Sequence, residues 1–247
     1  MPPGNCCDSY AKTSAFLALG ASVHYDHLLS AAAFTQITRF TVGPPGRHRL
    51  IVSSGSVVDF VHPRGAIVNA ANEACLGGRG VDGAINGAGG PDLERDRRAL
   101  APLLAGEGGG GVEREVRCPT GGAVTTGPGT YGRLGVPYVI HAVGPNYRLF
   151  GNDYDGVERG DELLASAYRE SLERAKEVGL EAVAFGLISS GTYCGRRGKR
   201  EVLTIGVRAI RDYDGYDGLG EVHMCAFDPS DVGVLLAIAA EEGLKEE

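Results

Sequence analysis

The chain has 247 residues and a formal net charge of -7, with 43% hydrophobic and 22% charged residues. These values are typical of a globular protein and exclude wholesale disorder. The acidic excess disfavours nucleic-acid partners, because sequence-independent binding depends on Lys and Arg side chains that neutralise phosphates. The 39 glycines depart from an ordinary composition and cluster in loops, where the backbone must bend tightly or approach another group closely.

A change of pattern at Thr38 divides the chain into an N-terminal extension, residues 1–37, and a domain, residues 38–247. The extension is expected to hold one helix within Ser14–Phe34. In the domain, short β-branched runs alternate with helical patterns, which predicts βαβ units and a mainly parallel sheet. The predicted strands are Arg39–Val42, Leu50–Ser53, Ala66–Val68, Ala123–Thr126, Tyr138–Ala142, Ala182–Leu187 and Val222–Phe227.

Apolar residues at helical spacing predict helices between these strands. One begins near Val81, and the others cover Gly160–Gly179, Glu201–Tyr213 and the segment after Asp228-Pro229-Ser230, which is a helix-start signal. The Gly-rich run Gly106–Gly111 is expected to form a surface loop.

The six cysteines form no C-x-x-C pair and have no zinc-finger spacing to histidine, so we expect free thiols and no metal site. No run approaches the roughly 20 apolar residues of a membrane span, and no signal peptide is recognisable. We expect a cytoplasmic protein without membrane association. A nuclear or organellar location remains open as an alternative.

Three stretches that could carry chemistry each begin where a predicted strand ends: Ala66–Ile85, Ile188–Gly195 and Phe227-Asp228. In the first, a Gly-rich turn opens a helix, so backbone N–H groups and the helix dipole can face an anion. The second again consists of small residues whose N–H groups can form an anion nest. Ligands of open α/β sheets bind outside the carboxyl ends of the strands, so the pattern predicts a dinucleotide-like ligand clamped by two loops. The alternative is that each Gly-rich turn is only a turn.

At these residues the chain resembles the macrodomain family, which binds ADP-ribose. The first stretch carries the family signature, and the resemblance continues in order through Arg117–Ala123, Val139–Tyr147, Ile188–Gly195 and Phe227-Asp228. The resemblance implies an α/β fold, a three-layer α/β/α sandwich with a mixed, mainly parallel central sheet.

Within that family, the Val81-Asp82-Gly83 sequence resembles the hydrolases that remove ADP-ribose from acidic side chains and cleave O-acetyl-ADP-ribose. The resemblance implies that Asn72 holds the distal ribose and that Asp82 positions or activates the attacking water. It implies no cofactor, a monomer, and ADP-ribose or an ADP-ribosylated protein as partner. The implied ADP-ribose-binding residues are Ser56, Val57, Ala70, Gly77, Gly78, Arg79, Gly80, Val81, Ser189, Ser190, Gly191, Thr192, Tyr193 and Phe227. The alternative is a module that binds ADP-ribose without cleaving it.

Several of these residues also have ordinary structural interpretations. Asp82 could favour the helix dipole or cap the helix. Asn69 is expected to be a strand-end backbone bridge, and His141 a core histidine with satisfied hydrogen bonds. Phe227 could belong either to the core or to the ligand wall.

Four positions depart from the family pattern: Ser56 in place of an Asp that recognises adenine, Arg79 in place of Gly, Asn86 in place of His, and Cys194 in place of Gly. The first predicts weaker adenine selectivity. Alternatively, Asp59 has taken over the role of the missing Asp.

Overall fold

The computed structural model describes residues 34–43, 47–103, 115–150 and 154–247, and eight strands and four helices lie within these ranges. In chain order they are β1 (Thr35–Val42), β2 (His48–Ser54), β3 (Gly65–Ala70), α1 (Val81–Ala99), β4 (Ala123–Thr126), β5 (Tyr138–Ala142), α2 (Tyr154–Glu177), β6 (Ala182–Gly186), α3 (Lys199–Arg211), β7 (Glu221–Ala226), α4 (Pro229–Glu241) and β8 (Lys245–Glu246).

All eight strands join one mixed sheet in the order β4-β5-β3-β6-β7-β2-β1-β8. The five central strands from β5 to β2 are parallel to their neighbours. The strands β4, β1 and β8 add to the two edges in antiparallel orientation. The predicted fold class is therefore confirmed.

Helices cover both faces of the sheet. Successive side chains of a strand point to opposite faces, so neighbouring residues of one strand pack into different cores. In β3, Val68 packs into a core formed with α2, α3 and α4, whereas Ile67 packs into a second core formed with α1. Both residues are completely buried. The central strands thus bury both faces, which explains their continuous apolar runs.

The carboxyl ends of β2, β3, β6 and β7 lie at the same edge, since these four strands are parallel. The segments that follow them start at Gly55, Ala71, Leu187 and Phe227. The fold therefore brings the three chemistry-bearing stretches of the sequence together with the segment after β2.

The helix α1 is kinked at Gly90, whose φ of 64° and ψ of -161° are not helical, and Pro91 follows it. Gly90 supplies the left-handed backbone that other residues rarely adopt. In addition, the pyrrolidine ring of Pro91 removes one helical hydrogen-bond donor. The second half of α1 therefore runs in a different direction from the first half.

Several element boundaries differ from those predicted. The last predicted strand included Phe227, but β7 ends at Ala226 and the Phe227 side chain is 75% exposed. The helix α2 begins at Tyr154 rather than at Gly160. Gly160 lies inside that helix. Glycine is needed there since Tyr147 packs so closely that a Cβ at position 160 would be 2.6 Å from the tyrosine ring. The two-residue strand β8 was not predicted, and the helix predicted within Ser14–Phe34 and the loop Gly106–Gly111 lie outside the described residues, Phe34 excepted.

Among the described residues, no helix is both long enough and apolar enough to cross a membrane.

Candidate functional site

The strand ends border two adjoining cavities with volumes of about 430 and 390 Å³. Gly80, Val81, Leu187 and Gly191 line both, so the two cavities form one cleft. The first cavity is further lined by Ala70, Asn72, Gly78, Arg79, Asp82, Ser189, Thr192 and Tyr193, and the second by Ser56, Val57, Ser190, Phe227 and Asp231. Every residue that the sequence predicted for the site except Gly77 therefore borders the cleft.

The loop before α1 presents backbone donors to the first cavity. The N–H groups of Gly78, Arg79 and Gly80 donate to no acceptor in the described part of the chain. They precede the N-terminus of α1, where the helix dipole favours negative charge. Arg79 is exposed beside them and adds a positive charge at the mouth of the cavity. This side of the cleft is suited to an anion.

The loop after β6 faces the first loop across the cleft. The Ser189 hydroxyl donates to the carbonyl oxygen of Pro145 at 2.8 Å and fixes the start of the loop, where Ser189 has a φ of 56°. Gly191 then turns toward open space, because a Cβ built on it would meet no heavy atom within 4 Å. The N–H groups of Gly191 and Thr192 also donate to no acceptor in the described part of the chain.

Asn72 occupies the inner end of the first cavity. Its Nδ2 donates to the carbonyl oxygen of Gly77 at 2.9 Å, and its Oδ1 accepts from the Ala74 N–H at 3.1 Å. Gly77 thus contributes through its contact with Asn72 rather than by lining the cavity. A third cavity of about 320 Å³ adjoins the first cavity and shares Asn72, Gly144 and Tyr193 with it.

Asp82 borders the first cavity, yet its residue surface is only 3% exposed. Its Oδ1 accepts a hydrogen bond from Asn69 Nδ2 at 2.8 Å and lies 2.8 Å from a guanidinium nitrogen of Arg97. Its Oδ2 has no hydrogen-bond partner among the described residues. The structure therefore places Asp82 in an interior ion pair. Gly80, not Asp82, occupies the position before the first helical residue, and the backbone-bridge interpretation of Asn69 is wrong because its side chain makes the contact.

His141 continues the same network into the core. The ring is completely buried, its Nδ1 lies 3.2 Å from Asn69 Nδ2, and its Nε2 lies 3.0 Å from the Thr126 hydroxyl. Burial, aided by the positive charge of Arg97, holds the pKa of His141 well below its usual value. The prediction of a core histidine with satisfied hydrogen bonds is confirmed.

The second cavity combines an aromatic side chain with three polar side chains, those of Ser56, Ser190 and Asp231. The exposed Phe227 is a wall of the cavity and not part of the core. Ser56 borders the cavity, whereas Asp59 pairs with Arg133 at 3.0 Å and does not line it. The carboxylate that lines it belongs to Asp231, which the sequence analysis missed. Asp231 accepts hydrogen bonds from the Lys199 ammonium at 2.8 and 3.1 Å, and this contact raises the pKa of Lys199.

Arg97 was also missed, because one arginine in the run Arg95, Arg97, Arg98 carries no sequence mark of burial. The kink at Gly90 next to Pro91 was the available signal, since it turns the second half of α1 back toward the first. Among the described residues, no group of three or more His, Cys, Asp or Glu side chains could hold a metal ion.

Comparison with known proteins identifies the family. A family model described as Macro domain matches residues 68–199, which is more than half of the chain. A macro domain-containing protein of Caldanaerobacter subterraneus is 38% identical over 188 residues, covering 76% of this chain and 94% of that protein. A second one, from Cupriavidus necator, is 44% identical over 147 residues, covering 60% of this chain and 72% of that protein. The chain therefore belongs to the macrodomain family.

Solved structures resemble the fold along most of its length. The Oceanobacillus iheyensis macrodomain with ADP superposes with a TM-score of 0.64 at 27% identity, covering 82% of this chain and 95% of that chain. The Trypanosoma brucei macrodomain in complex with ADP-ribose superposes with a TM-score of 0.57 at 27% identity, covering 75% of this chain and 67% of that chain. Two further structures of the Oceanobacillus protein are alanine variants, one of an asparagine and one of an aspartate ten positions later.

Proposed function

We propose that this macrodomain binds ADP-ribose in the cleft and hydrolyses ADP-ribosyl esters, on acidic protein side chains or as O-acetyl-ADP-ribose. The observation that carries the proposal is Asp82 Oδ2. It is a buried carboxylate oxygen with no hydrogen-bond partner among the described residues, on a side chain that borders the cavity also lined by Asn72.

The two loops support a bound diphosphate. Unused N–H groups at Gly78–Gly80 and at Gly191 face the cavity from opposite sides, and the N-terminus of α1 adds the positive end of its dipole. Phe227 gives the base an aromatic surface in the adjoining cavity. The ligands of the two solved relatives, ADP and ADP-ribose, match this arrangement.

On an ADP-ribosylated acidic side chain, the reaction needs one water molecule, held at the anomeric carbon of the distal ribose; on O-acetyl-ADP-ribose the water would instead attack the acetyl carbonyl carbon and release acetate. As the oxygen of the water forms a bond to the anomeric carbon, the bond between that carbon and the ester oxygen breaks, and the side chain leaves as a carboxylate. Asp82 Oδ2 accepts a hydrogen bond from the water and draws its proton, and such general-base help is worth roughly 10²–10⁴-fold. Asn72 holds the ribose. The two residues are ten positions apart, the spacing of the two alanine variants of the bacterial relative.

One observation favours a second function, an ADP-ribose reader without catalysis. The guanidinium of Arg97 lies 2.8 Å from Asp82 Oδ1 and balances the carboxylate charge in the interior, which gives Asp82 a structural role that requires no reaction. Both functions use the same cleft and differ only in whether product is released.

The experiment is incubation with a protein mono-ADP-ribosylated on acidic side chains, and separately with O-acetyl-ADP-ribose, with free ADP-ribose measured over time. Hydrolysis is expected in wild type and a loss of at least about 100-fold in Asp82→Asn, within the range given for general-base catalysis. Asn is the chosen replacement because it retains the shape of the side chain and an acceptor oxygen for Asn69. Calorimetry should show that Asp82→Asn still binds ADP-ribose.

The exposed Asp92 of the same helix provides the matched control, since Asp92→Asn removes a charge from a side chain that lines neither cavity of the cleft and should leave the rate unchanged. ADP-ribose binding without hydrolysis in wild type would replace the enzyme by the reader. Equal rates in wild type and Asp82→Asn would remove Asp82 from the mechanism.

A further inference from the structure

We propose that Arg97 is a positioning residue for the hydrolysis, and that it clamps Asp82 so that the free oxygen Oδ2 is directed toward the cavity. The inference rests on the proposed function. It concerns a buried cation, because the Arg97 side chain is 0% exposed and its ion-pair partner Asp82 is 4% exposed at the side chain.

The guanidinium is held by three groups at once. One terminal nitrogen forms an ion pair with Asp82 Oδ1 at 2.8 Å, without hydrogen-bond geometry, the other donates to Asn86 Oδ1 at 3.3 Å, and Nε donates to the carbonyl oxygen of Cys75. A planar guanidinium fixed at several points cannot swing away from the carboxylate. Lysine could not reproduce this arrangement, because its ammonium is a single point of charge on a flexible stem.

Asn69 completes the clamp from the opposite side. Because a carboxylate only accepts, the Asn69 group 2.8 Å from Asp82 Oδ1 is the amide nitrogen, which donates there and also toward His141 Nδ1. His141 is neutral and donates from Nε2 toward the Thr126 hydroxyl. Both neighbours of Asp82 Oδ1 are thus fixed by further buried groups.

The consequence falls on Oδ2. With Oδ1 occupied from two sides, the carboxylate cannot rotate to exchange its oxygens without breaking both contacts. Oδ2 is directed toward Gly78, where a Cβ would lie only 2.7 Å from it, and Gly78 lines the first cavity. Any side chain at position 78 would crowd this oxygen, so glycine keeps Oδ2 next to the cavity.

The contact between Asp82 and Arg97 depends on the kink. In a straight helix these residues, fifteen positions apart, would be separated by roughly 22 Å along the axis, too far for an arginine side chain. The break at Gly90 returns the second half of α1 to the first. Asp82 is the one carboxylate among the described residues that line the first cavity, and a bend that brings a cation to it points to a role in holding that carboxylate.

The experiment measures kcat, KM and ADP-ribose affinity for wild type, Arg97→Lys and Arg97→Met, with Arg98→Met as the matched control. Arg98 is the next residue, is exposed, and pairs with Glu94. If Arg97 positions Asp82, kcat should fall by about tenfold or more in Arg97→Lys and by about 100-fold in Arg97→Met, within the range of general-base effects. KM and the dissociation constant should change by less than about threefold, because the diphosphate contacts are untouched.

Arg97→Met leaves a buried carboxylate without a counter-charge and could fail to fold. In that case Arg97→Lys, which retains the charge, tests the positioning role. The comparison of Asp82→Asn with Asp82→Asn/Arg97→Met tests it as well, because a neutral amide replaces the carboxylate in both variants. If Arg97 acts only through Asp82, adding Arg97→Met to Asp82→Asn should lower the residual kcat by less than about twofold.

The outcomes separate this inference from the proposed function. A folded Arg97→Lys with wild-type kcat, or a further large loss of kcat in the double variant, would overturn the positioning role alone. Wild type that binds ADP-ribose and releases none from any ester would overturn the hydrolase function, and the positioning role with it. A selective loss of kcat on substitution of Arg97 that disappears in the Asp82→Asn background supports the positioning role.

Discussion

Replacement of Asp82 by alanine is expected to destabilise the whole domain as well as the reaction. The substitution removes the carboxylate but leaves the Arg97 guanidinium completely buried, with hydrogen bonds only to neutral oxygens. Loss of one partner of a buried ion pair costs about 3–5 kcal/mol. For a domain of this size, 1 kcal/mol changes Tm by about 2–4 °C, so Tm should fall by about 6–20 °C.

Thermal unfolding followed by circular dichroism gives this difference directly. Asp92→Ala is the matched control, since Asp92 is also an aspartate of α1 that pairs with an arginine, but at the surface. Exposed pairs contribute about 0–1 kcal/mol, so the control should remain within about 4 °C of wild type. The double variant Asp82→Ala/Arg97→Met removes the isolated charge and should regain much of the lost Tm.

The reasoning would be refuted if Asp82→Ala and Asp92→Ala melted at the same temperature. The same result would show that Arg97 reaches solvent or another anion. For activity measurements the expected instability favours Asp82→Asn over Asp82→Ala, because a loss of hydrolysis must be separated from a loss of folded protein.

Three further predictions concern the cleft and the core. Gly191→Glu should fold normally, because a Cβ there meets open space. It should lower ADP-ribose affinity by about 100-fold, since like charges placed together cost several kcal/mol. Unchanged affinity by calorimetry would exclude this loop from the site. Ser56→Asp should tighten ADP-ribose over its inosine analogue by up to about tenfold, because a charged acceptor suits the adenine amino group, and equal titration curves for the two nucleotides would contradict this. Burial lowers the pKa of His223 from 6.5 to about 4, so the unfolded chain takes up its proton first as the pH falls. The contribution of neutral His223 to the free energy of unfolding is complete above pH 6.5, and about 3 kcal/mol of it should be lost by pH 4. Urea unfolding measured across this pH range should show a weaker pH dependence for His223→Gln than for wild type.

The sequence predicted the sheet well where turn residues bracket an apolar run. The bounds of β4 and β5 agree to the residue, because Gly121-Gly122, Gly127-Pro128 and Pro137 border them. It did not predict β8, since two charged residues carry no strand pattern and pair only because β1 offers a free edge. Gly160 was misinterpreted as a helix boundary because its close contact with Tyr147 is a tertiary feature.

In the site, the residues of local motifs could be predicted from the sequence, whereas the residues that enter through long-range contacts could not. The two Gly-rich loops could be predicted because glycine spacing at strand ends is local information. Asp231 and Arg97 could not, since each enters the site from a helix whose orientation is set by packing elsewhere in the fold. For the same reason the side-chain contact of Asn69 with Asp82, across thirteen positions, was assigned to the backbone.

The kink in α1 also makes the spacing of residues in that segment a constraint of its own. In an α-helix each residue advances by about 100° around the axis, so one residue inserted or deleted between Gly90 and Arg97 would turn the guanidinium a quarter of a turn or more away from Asp82. After a deletion the exposed Arg98 would take the interior position, and after an insertion Asp96 would take it. A length change within this half-helix should therefore be tolerated less well than most substitutions of its exposed side chains.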